Sequence, residues 1–582
     1  MRQVVAMRRL DRRLGVVLLL LYPLWAAAHG QDINYDARNY HLYAALAFLG
    51  NSYGQDLLPG GVQTFLNPLA SLPAAFLLSA SGWLGPLLPT LALALLQGTT
   101  LLLIYWIALR LLQGDRPLAF LATLFGGTAP LVLSEAGNTM ADLTLSLLTS
   151  ASLAVAISLS GLPAGRGRLL RLALAAGLAG AAVGIKITNL FFLPLLALAL
   201  ALAPRGPREQ GRRLRQMAAE GAVSLSALLL SLVLFISPQI LTAHRYTGNP
   251  VFPLLNSVFR SPLHEDVNAT DWRFKPDSPT AFLLAPVFDF SDSFYPDFSP
   301  ERGIQTRRCE IRYRDLRTLL WVAASLLLLL LPGWRRRLTP TVWALLLGLP
   351  LSYGLWLASA GIGRYAIPLQ LLFGLPVALA CQAIAADRPT ASAPWRRPAP
   401  ILAVLLALTL LSQVTPNWGR TNFEAHWTTL NGASEYAVVP LRRGRLQFQP
   451  GQPIVMLARP LGWFKAHTAA SGSRLLHWDP GISARTMANS KLPQVQDRIV
   501  SQVLASGFDT FFLLTFDGPP DQLLQQRQTF LQEAPRLRAA GFRLGACTTY
   551  QTPENVEDLQ LCQVSRRALP NGSPPAAAAA SP

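Results

Sequence analysis

Ionisable side chains with the chemistry of group transfer recur in this sequence at one kind of place, just past the end of a long apolar run. Asp36 stands in Asn34-Tyr35-Asp36-Ala37-Arg38-Asn39-Tyr40-His41, and Glu135 and Asp142 flank Gly137-Asn138-Thr139-Met140. Lys186 follows Gly184-Ile185, Arg245 precedes Tyr246-Thr247-Gly248-Asn249-Pro250, and Arg364 sits in Gly361-Ile362-Gly363-Arg364-Tyr365. A carboxylate such as Asp36 can act as general base toward an acceptor hydroxyl. A cation such as Lys186 or Arg364 can stabilise a departing phosphate, Arg by a bidentate fork and Lys as a point charge. Glu135 and Asp142 can position substrate hydroxyls or share a metal with Asp36.

Plainer roles compete at each position. Glu135 and Asp142 suit the start of the helix after them, where acids are favoured. Lys186 can snorkel to an interface. Asp36 can be a turn residue, Arg364 a helix flank, Arg245 a surface residue and His41 a loop histidine or a partner of Asp36. There is no GxxxxGK[ST], HExxH or GxSxG, so a transfer reaction here has to use a substrate activated beforehand.

The elements that must position these groups are apolar. The chain is 51% hydrophobic and only 14% charged, too little polar surface for a soluble protein of 582 residues. Runs at 14–28, 88–110, 117–134, 141–160, 171–186, 188–203, 221–241, 317–332, 341–358, 365–385 and 399–414 read as membrane spans. In lipid the backbone must satisfy itself, so they are helices. Alternating them puts the basic clusters at the N-terminus, 110–116, 166–171, 205–215, 335–337 and 388–397 on one side, which the lysine and arginine bias makes cytoplasmic. That distribution accounts for the net charge of +19 without nucleic acid, and anionic membrane lipid is the expected counterpart. The first run resembles a signal peptide but reads as a retained anchor. The run 68–82 begins Asn67-Pro68, is short, and would invert every later loop, so it reads as an interfacial helix.

Two long non-cytoplasmic segments result, 31–87 and 242–316, and the charged clusters above fall on their side. Charges near lipid usually face a protein interior or cavity. The expected fold is a polytopic α-helical membrane protein with about eleven spans over 1–416, a C-terminal α/β domain over 417–570, and a disordered tail at 571–582. Strands are expected at 453–457 and 510–515, helices at 494–506 and 521–539. Cys547 and Cys562, both in the C-terminal domain, are candidates for a disulfide in an oxidising compartment.

Five of these segments, in order over about 10–385, resemble the GT-C superfamily of membrane glycosyltransferases. The closer resemblance is to the bacterial branch related to lipid A aminoarabinose transferases and protein O-mannosyltransferases. They are Tyr35-Asp36 with Tyr40 and His41, Gln63-Thr64-Phe65-Leu66-Asn67-Pro68, Gly184-Ile185-Lys186, Thr247-Gly248-Asn249-Pro250-Val251-Phe252-Pro253, and Gly363-Arg364-Tyr365. The resemblance implies an inverting transfer from a polyprenyl-phosphate-linked sugar to a lipid, glycan or protein acceptor on the periplasmic face of the bacterial inner membrane. The N-terminus would be cytoplasmic and the C-terminal domain periplasmic. It implies Asp36 as catalytic carboxylate and Lys186 and Arg364 as donor phosphate ligands. Glu135, Asp142, His41, Tyr40, Tyr365 and Asn249 would line the sugar or acceptor site. Many relatives carry paired acids where this chain has Asp36-Ala37, so a divalent metal stays an open alternative with no ligand set. The competing readings are a lipid or sugar flippase and a non-catalytic envelope assembly component.

Overall fold

The structure is a computed structural model. It describes residues 2–79, 87–204, 210–268, 274–287, 290–291, 311–336, 338–386, 397–421, 423, 448–457, 460–468, 471–479, 491–516, 520–550 and 559–566. The chain divides into two compact units: Met1–Ala28, Leu91–Ile236 and Asp271–Trp418 form the first, and His29–Thr90, Ser237–Thr270 and Gly419–Pro582 form the second.

Helices dominate the first unit. The longer ones, some of whose ends (residues 29, 87–90 and 237–247) belong to the second unit, are α1 (Arg2–His29), α2 (Leu87–Leu111), α3 (Arg116–Gly127), α4 (Asp142–Ile157), α5 (Arg166–Ile185), α6 (Leu193–Ala201), α7 (Gln210–Thr247), α8 (Arg317–Leu330), α9 (Pro340–Ser359), α10 (Gly374–Ala386) and α11 (Pro398–Ser412). Each apolar run of the sequence contributes helix. Their lengths differ from expectation. Among the described residues, four helices are long and apolar enough to cross a membrane, or five if the pair Gly363–Gln370 and Gly374–Ala386, bent by 45°, is one span. The expected count of about eleven took runs of 15 or 16 residues, such as 14–28 and 171–186, as spans. In the structure α3 stops before Ala129-Pro130, and the run at 188–203 opens as a 3-10 helix, Ile187–Phe192, before α6. The run 68–82 contributes a 3-10 turn at Pro68–Ala70 and the eight-residue helix Leu72–Ser79, which rises only about 12 Å against a hydrocarbon core of about 30 Å.

Buried charges hold this unit together at helix ends. Arg168 pairs with Glu220 at 2.8 Å and donates to the carbonyls of Leu159 and Pro204, both at 3.1 Å, beyond the ends of their helices. Arg317 pairs with Asp315 at 2.9 Å and donates to Phe125 O at 2.7 Å and Gln413 Oε1 at 2.9 Å, so it ties the start of α8 to the ends of α3 and α11. Glycine lets α5 lie directly on α7, since a Cβ on Gly184 would stand 2.8 Å from the Leu232 carbonyl.

In the second unit a five-stranded mixed sheet carries the core. Its strands are β3 (Pro453–Met456), β4 (Arg474–His477), β5 (Thr510–Phe516), β6 (Arg543–Tyr550) and β7 (Leu559–Ser565), in spatial order β4-β3-β5-β7-β6. The pairs β3/β4 and β3/β5 are parallel, while β5/β7 and β7/β6 are antiparallel. The strands β1 (Gln31–Asp32) and β2 (Arg420–Thr421) form a short separate ladder. Helices α12 (Leu492–Ala505) and α13 (Pro520–Glu533), with Pro535–Ala539, occupy the helical segments read from the sequence. Strands β4, β6 and β7 were not among those expected; β4 is short, and β6 mixes Arg, Gly, Cys and Thr without strict alternation. Cys547 and Cys562 face each other across β6/β7 and are disulfide-bonded. The tail 571–582 and Cys309 lie outside the described residues.

The segment after Asp36 is fastened to this sheet. Leu57 forms a parallel bridge with Leu476, its N–H donating to Leu475 O at 2.8 Å. Beside it, fully buried, Asp56 receives Lys465 Nζ at 2.9 Å, Leu475 N–H at 2.9 Å and Tyr43 O–H at 3.1 Å. Burial pushes the Asp56 carboxyl up, and the Lys465 charge opposes that shift. Removing one partner of such a pair strands the other charge, at a cost of about 3–5 kcal/mol. Lys465→Met should therefore lower the unfolding temperature of the purified protein sharply. The double variant Asp56→Asn/Lys465→Met should lose less than the sum of the two single changes, and additive losses would contradict the pair.

Candidate functional site

At the start of α4 the chain makes a tight connection, 135–141, in which both Gly137 (φ 73°) and Ala141 (φ 71°) are left-handed. An alanine in that region is strained and needs support from its surroundings. Gln97, buried in α2, gives it: Oε1 accepts Gly137 N–H at 2.7 Å, and Nε2 donates to Asn138 O at 3.2 Å and Thr144 Oγ1 at 3.1 Å. Asn138 Oδ1 then accepts Met140 N–H at 2.7 Å. Shaped this way, the connection turns Glu135 back over α4. Glu135 Oε2 accepts Leu143 N–H at 2.9 Å, one of the orphan donors of a helix N-terminus. Its Oε1 is buried without a hydrogen-bond partner among the described residues.

Lys186 reaches the same place from the end of α5. Its backbone is extended (φ −144°), and Asn189 Nδ2 closes the helix end by donating to Ala182 O and Lys186 O at 3.2 and 3.1 Å. Lys186 Nζ contacts Asp142 Oδ2 at 2.6 Å and Met140 O at 2.9 Å, and stands 5.5 Å from the centre of the Tyr365 ring. Arg364 comes from the 3-10 turn Gly363–Ala366, which Trp356 Nε1 fixes by donating to Ile362 O at 2.8 Å. Its guanidinium lies over Tyr365 (5.4 Å) and Trp418 (5.8 Å), and Nη1 is 3.4 Å from Met140 Sδ. Trp418 Nε1 donates to Ser134 Oγ at 2.9 Å.

The first unit thus gathers Glu135, Asp142, Lys186, Arg364 and Tyr365, five of the residues singled out in the sequence. It adds Gln97, Met140, Ser134 and Trp418, which were not. Gln97 carried a signal, an amide alone in a leucine-rich run. Trp418 lies past the last apolar run and carried none. In the 135–141 connection, outside the helices, burial drives the Glu135 carboxyl well above the usual range. Asp142 adds to that shift, while Lys186, the Leu143 N–H bond and Arg364 oppose it.

The remaining candidates lie in the second unit. Asp36 is half-buried and leads into a single π-turn, Ala37–His41. Asn34 shapes the approach by accepting Ala37 N–H at 2.8 Å and donating Nδ2 to both oxygens of Asp32 at 2.7 Å. Tyr40 is buried and meets the His41 ring edge-on at 4.7 Å. Burial lowers the Arg38 guanidinium, opposed by the charge of Asp32. Asn249 is buried and spends its side chain inside the turn that follows α7: Oδ1 accepts Val251 N–H at 2.9 Å, and Nδ2 donates to Leu254 O and Asn256 Oδ1. Arg245 lies over the ring of Tyr246, 5.5 Å away. Among the described residues no group of three or more His, Cys, Asp or Glu is arranged to hold a metal ion.

No family model matches the chain, and no curated protein matches it either. Solved structures do. ArnT from Cupriavidus metallidurans, an aminoarabinose transferase, superposes in its apo state with a TM-score of 0.51 over 97% of this chain and 98% of its own, at 13% identity. ArnT is a GT-C glycosyltransferase, and this chain is similar to it in fold. The same enzyme bound to undecaprenyl phosphate gives a TM-score of 0.49, with 13% identity over 96% of this chain and 98% of its own. The oligosaccharyltransferase AglB from Archaeoglobus fulgidus, in complex with an inhibitory peptide and a dolichol-phosphate, gives 0.47 at 11% identity, covering 94% of this chain and 74% of that one. At these identities the likeness is one of chain path, and the chemistry has to be argued from this chain's own residues.

Gln97 is the residue on which the local arrangement turns. Gln97→Leu keeps the volume and removes three hydrogen bonds, leaving the Gly137 N–H buried and unmet at a cost of about 1–3 kcal/mol. Hydrogen exchange should show faster exchange at Gly137 and Leu143, with the amides of α9 unchanged. Unaltered protection at Gly137 would contradict the role.

Proposed function

We propose that this chain is an inverting glycosyltransferase, moving a sugar from a polyprenyl-phosphate-linked donor to a lipid, glycan or protein acceptor at the periplasmic face of the bacterial inner membrane. The observation that carries the reading is the convergence of two cations on one place. Lys186 and Arg364 both lie over Tyr365 and both reach Met140, beside Asp142 and Glu135. Two cations in weakly screening surroundings suit a phosphate.

The roles follow from side-chain chemistry. Arg364, with its rigid fork, takes two phosphate oxygens, and Lys186 supplies a point charge aimed by Asp142 and Met140 O. Both cations stabilise the negative charge that builds on the leaving phosphate as the bond to the anomeric carbon breaks. Glu135 and Tyr365 are assigned to sugar hydroxyls. Asp36 is assigned as the base that takes the proton from the acceptor hydroxyl as that oxygen attacks the anomeric carbon, inverting it. Tyr40 and His41 are assigned to the acceptor. The segment 417–570 is assigned to the periplasm as a domain, with the N-terminus in the cytoplasm. ArnT, whose fold this chain shares, has been solved with undecaprenyl phosphate bound, which agrees with a polyprenyl-phosphate donor.

The test is sugar transfer by purified protein given a panel of polyprenyl-phosphate sugars and envelope glycolipids. Wild type should form product, and Asp36→Asn should lower its rate by about 10²–10⁴ while donor binding survives. Equal rates for the two proteins would remove Asp36 as base. Movement of the lipid across liposomes with no glycosylated product would remove the transferase reading itself.

A further inference from the structure

The disulfide Cys547–Cys562 is built unlike an inert staple. Cys562 lies in β7, an inner strand, and is fully buried, whereas Cys547 lies in β6, the outermost strand of the sheet, and is exposed. The β6/β7 ladder slips between Leu544 and Cys547, so regular pairing is interrupted beside the bond. From α13 the buried side chain of Arg527 reaches both sulfurs, with Nη1 2.6 Å from Cys547 Sγ and 3.0 Å from Cys562 Sγ. A guanidinium there does little for a neutral disulfide. It stabilises a thiolate, the species formed when the bond is opened.

The geometry points to an exchangeable disulfide that is attacked at Cys547 and opened with the help of Arg527. The co-reactant is a dithiol reductant. Its thiolate attacks the exposed Cys547 Sγ, the new bond is a mixed disulfide at Cys547, and the electron pair of the old bond leaves on Cys562 Sγ beside Arg527. The second thiol of the reductant then attacks the mixed disulfide, releasing Cys547 and carrying away an oxidised reductant, while two protons restore the thiols. Leaving-group thiols of lower pKa depart faster, so Arg527 acts on the rate of the first step. Opening the bond frees β6 from its covalent tie to β7. A disulfide protected on both sides, or one with only apolar neighbours, would gain nothing from such a cation.

The experiment follows reduction of the full-length protein in detergent by dithiothreitol, with acid quenching, alkylation and mass spectrometry of the peptides bearing Cys547 and Cys562. Arg527→Met should slow reduction about tenfold, and Arg527→Lys, which keeps the charge, should stay within about threefold of wild type. Wild-type protein treated with glutathione should carry the adduct on Cys547. Equal rates for Arg527→Met and wild type, faster reduction in Arg527→Met, or equal slowing in both variants would overturn the role of Arg527. Adducts found on Cys562 would overturn the direction of attack, and that arm needs no variant to fold.

Discussion

At 2.6 Å and largely out of water, Lys186 Nζ and Asp142 Oδ2 form a contact that neither residue could forgo. An unpaired carboxylate in so apolar a helical unit would be heavily penalised, as would an unpaired ammonium. The pairing fixes where the end of α5 stands against the start of α4. It also sets the height of the 135–141 connection, because Lys186 takes Met140 O with its second bond. Glu135 arrives beside a charge of its own sign, and Arg364 arrives to complete the balance. The aromatic faces of Tyr365 and Trp418 pack against the Arg364 guanidinium and help to hold it in place.

The buried charges elsewhere follow the same logic without its chemical consequence. Arg168 and Arg317 are also buried and paired, yet each is spent on carbonyls at helix ends and on its own carboxylate. Asp56 is consumed in the same way by Lys465, Leu475 N–H and Tyr43. These are fasteners. What distinguishes the cluster at Glu135 is that two cations meet there beside a strained backbone supported from α2. Strain of that kind is commonly found where geometry serves function.

The positions of the helices were legible because hydrophobic runs bounded by Pro, Gly and charge leave little freedom in lipid. The breaks within them were not, since a run such as 188–203 looks continuous until the 3-10 opening at Ile187 is seen. Glu135, Asp142, Lys186 and Arg364 were legible as a group because charge at the end of an apolar run needs a reason. Their partners Trp418 and Met140 were silent, because an aromatic or a thioether gains meaning only from what it touches. Asn249 shows the reverse case: its motif was conspicuous in the sequence, and the structure spends its side chain on the turn itself. In the C-terminal sheet the compact apolar strands β3 and β5 were plain, while β6 was hidden by its polar composition.

The central claim is that the paired cations in the first unit hold a lipid-linked phosphate. Titration of purified protein with undecaprenyl phosphate, followed by the phosphorus NMR signal, tests it without knowledge of the sugar. The account predicts a shifted resonance with wild type and binding weakened at least about tenfold in both Lys186→Met and Arg364→Met, the loss of one charged hydrogen bond each. A phosphate resonance that responds equally to all three proteins would contradict it.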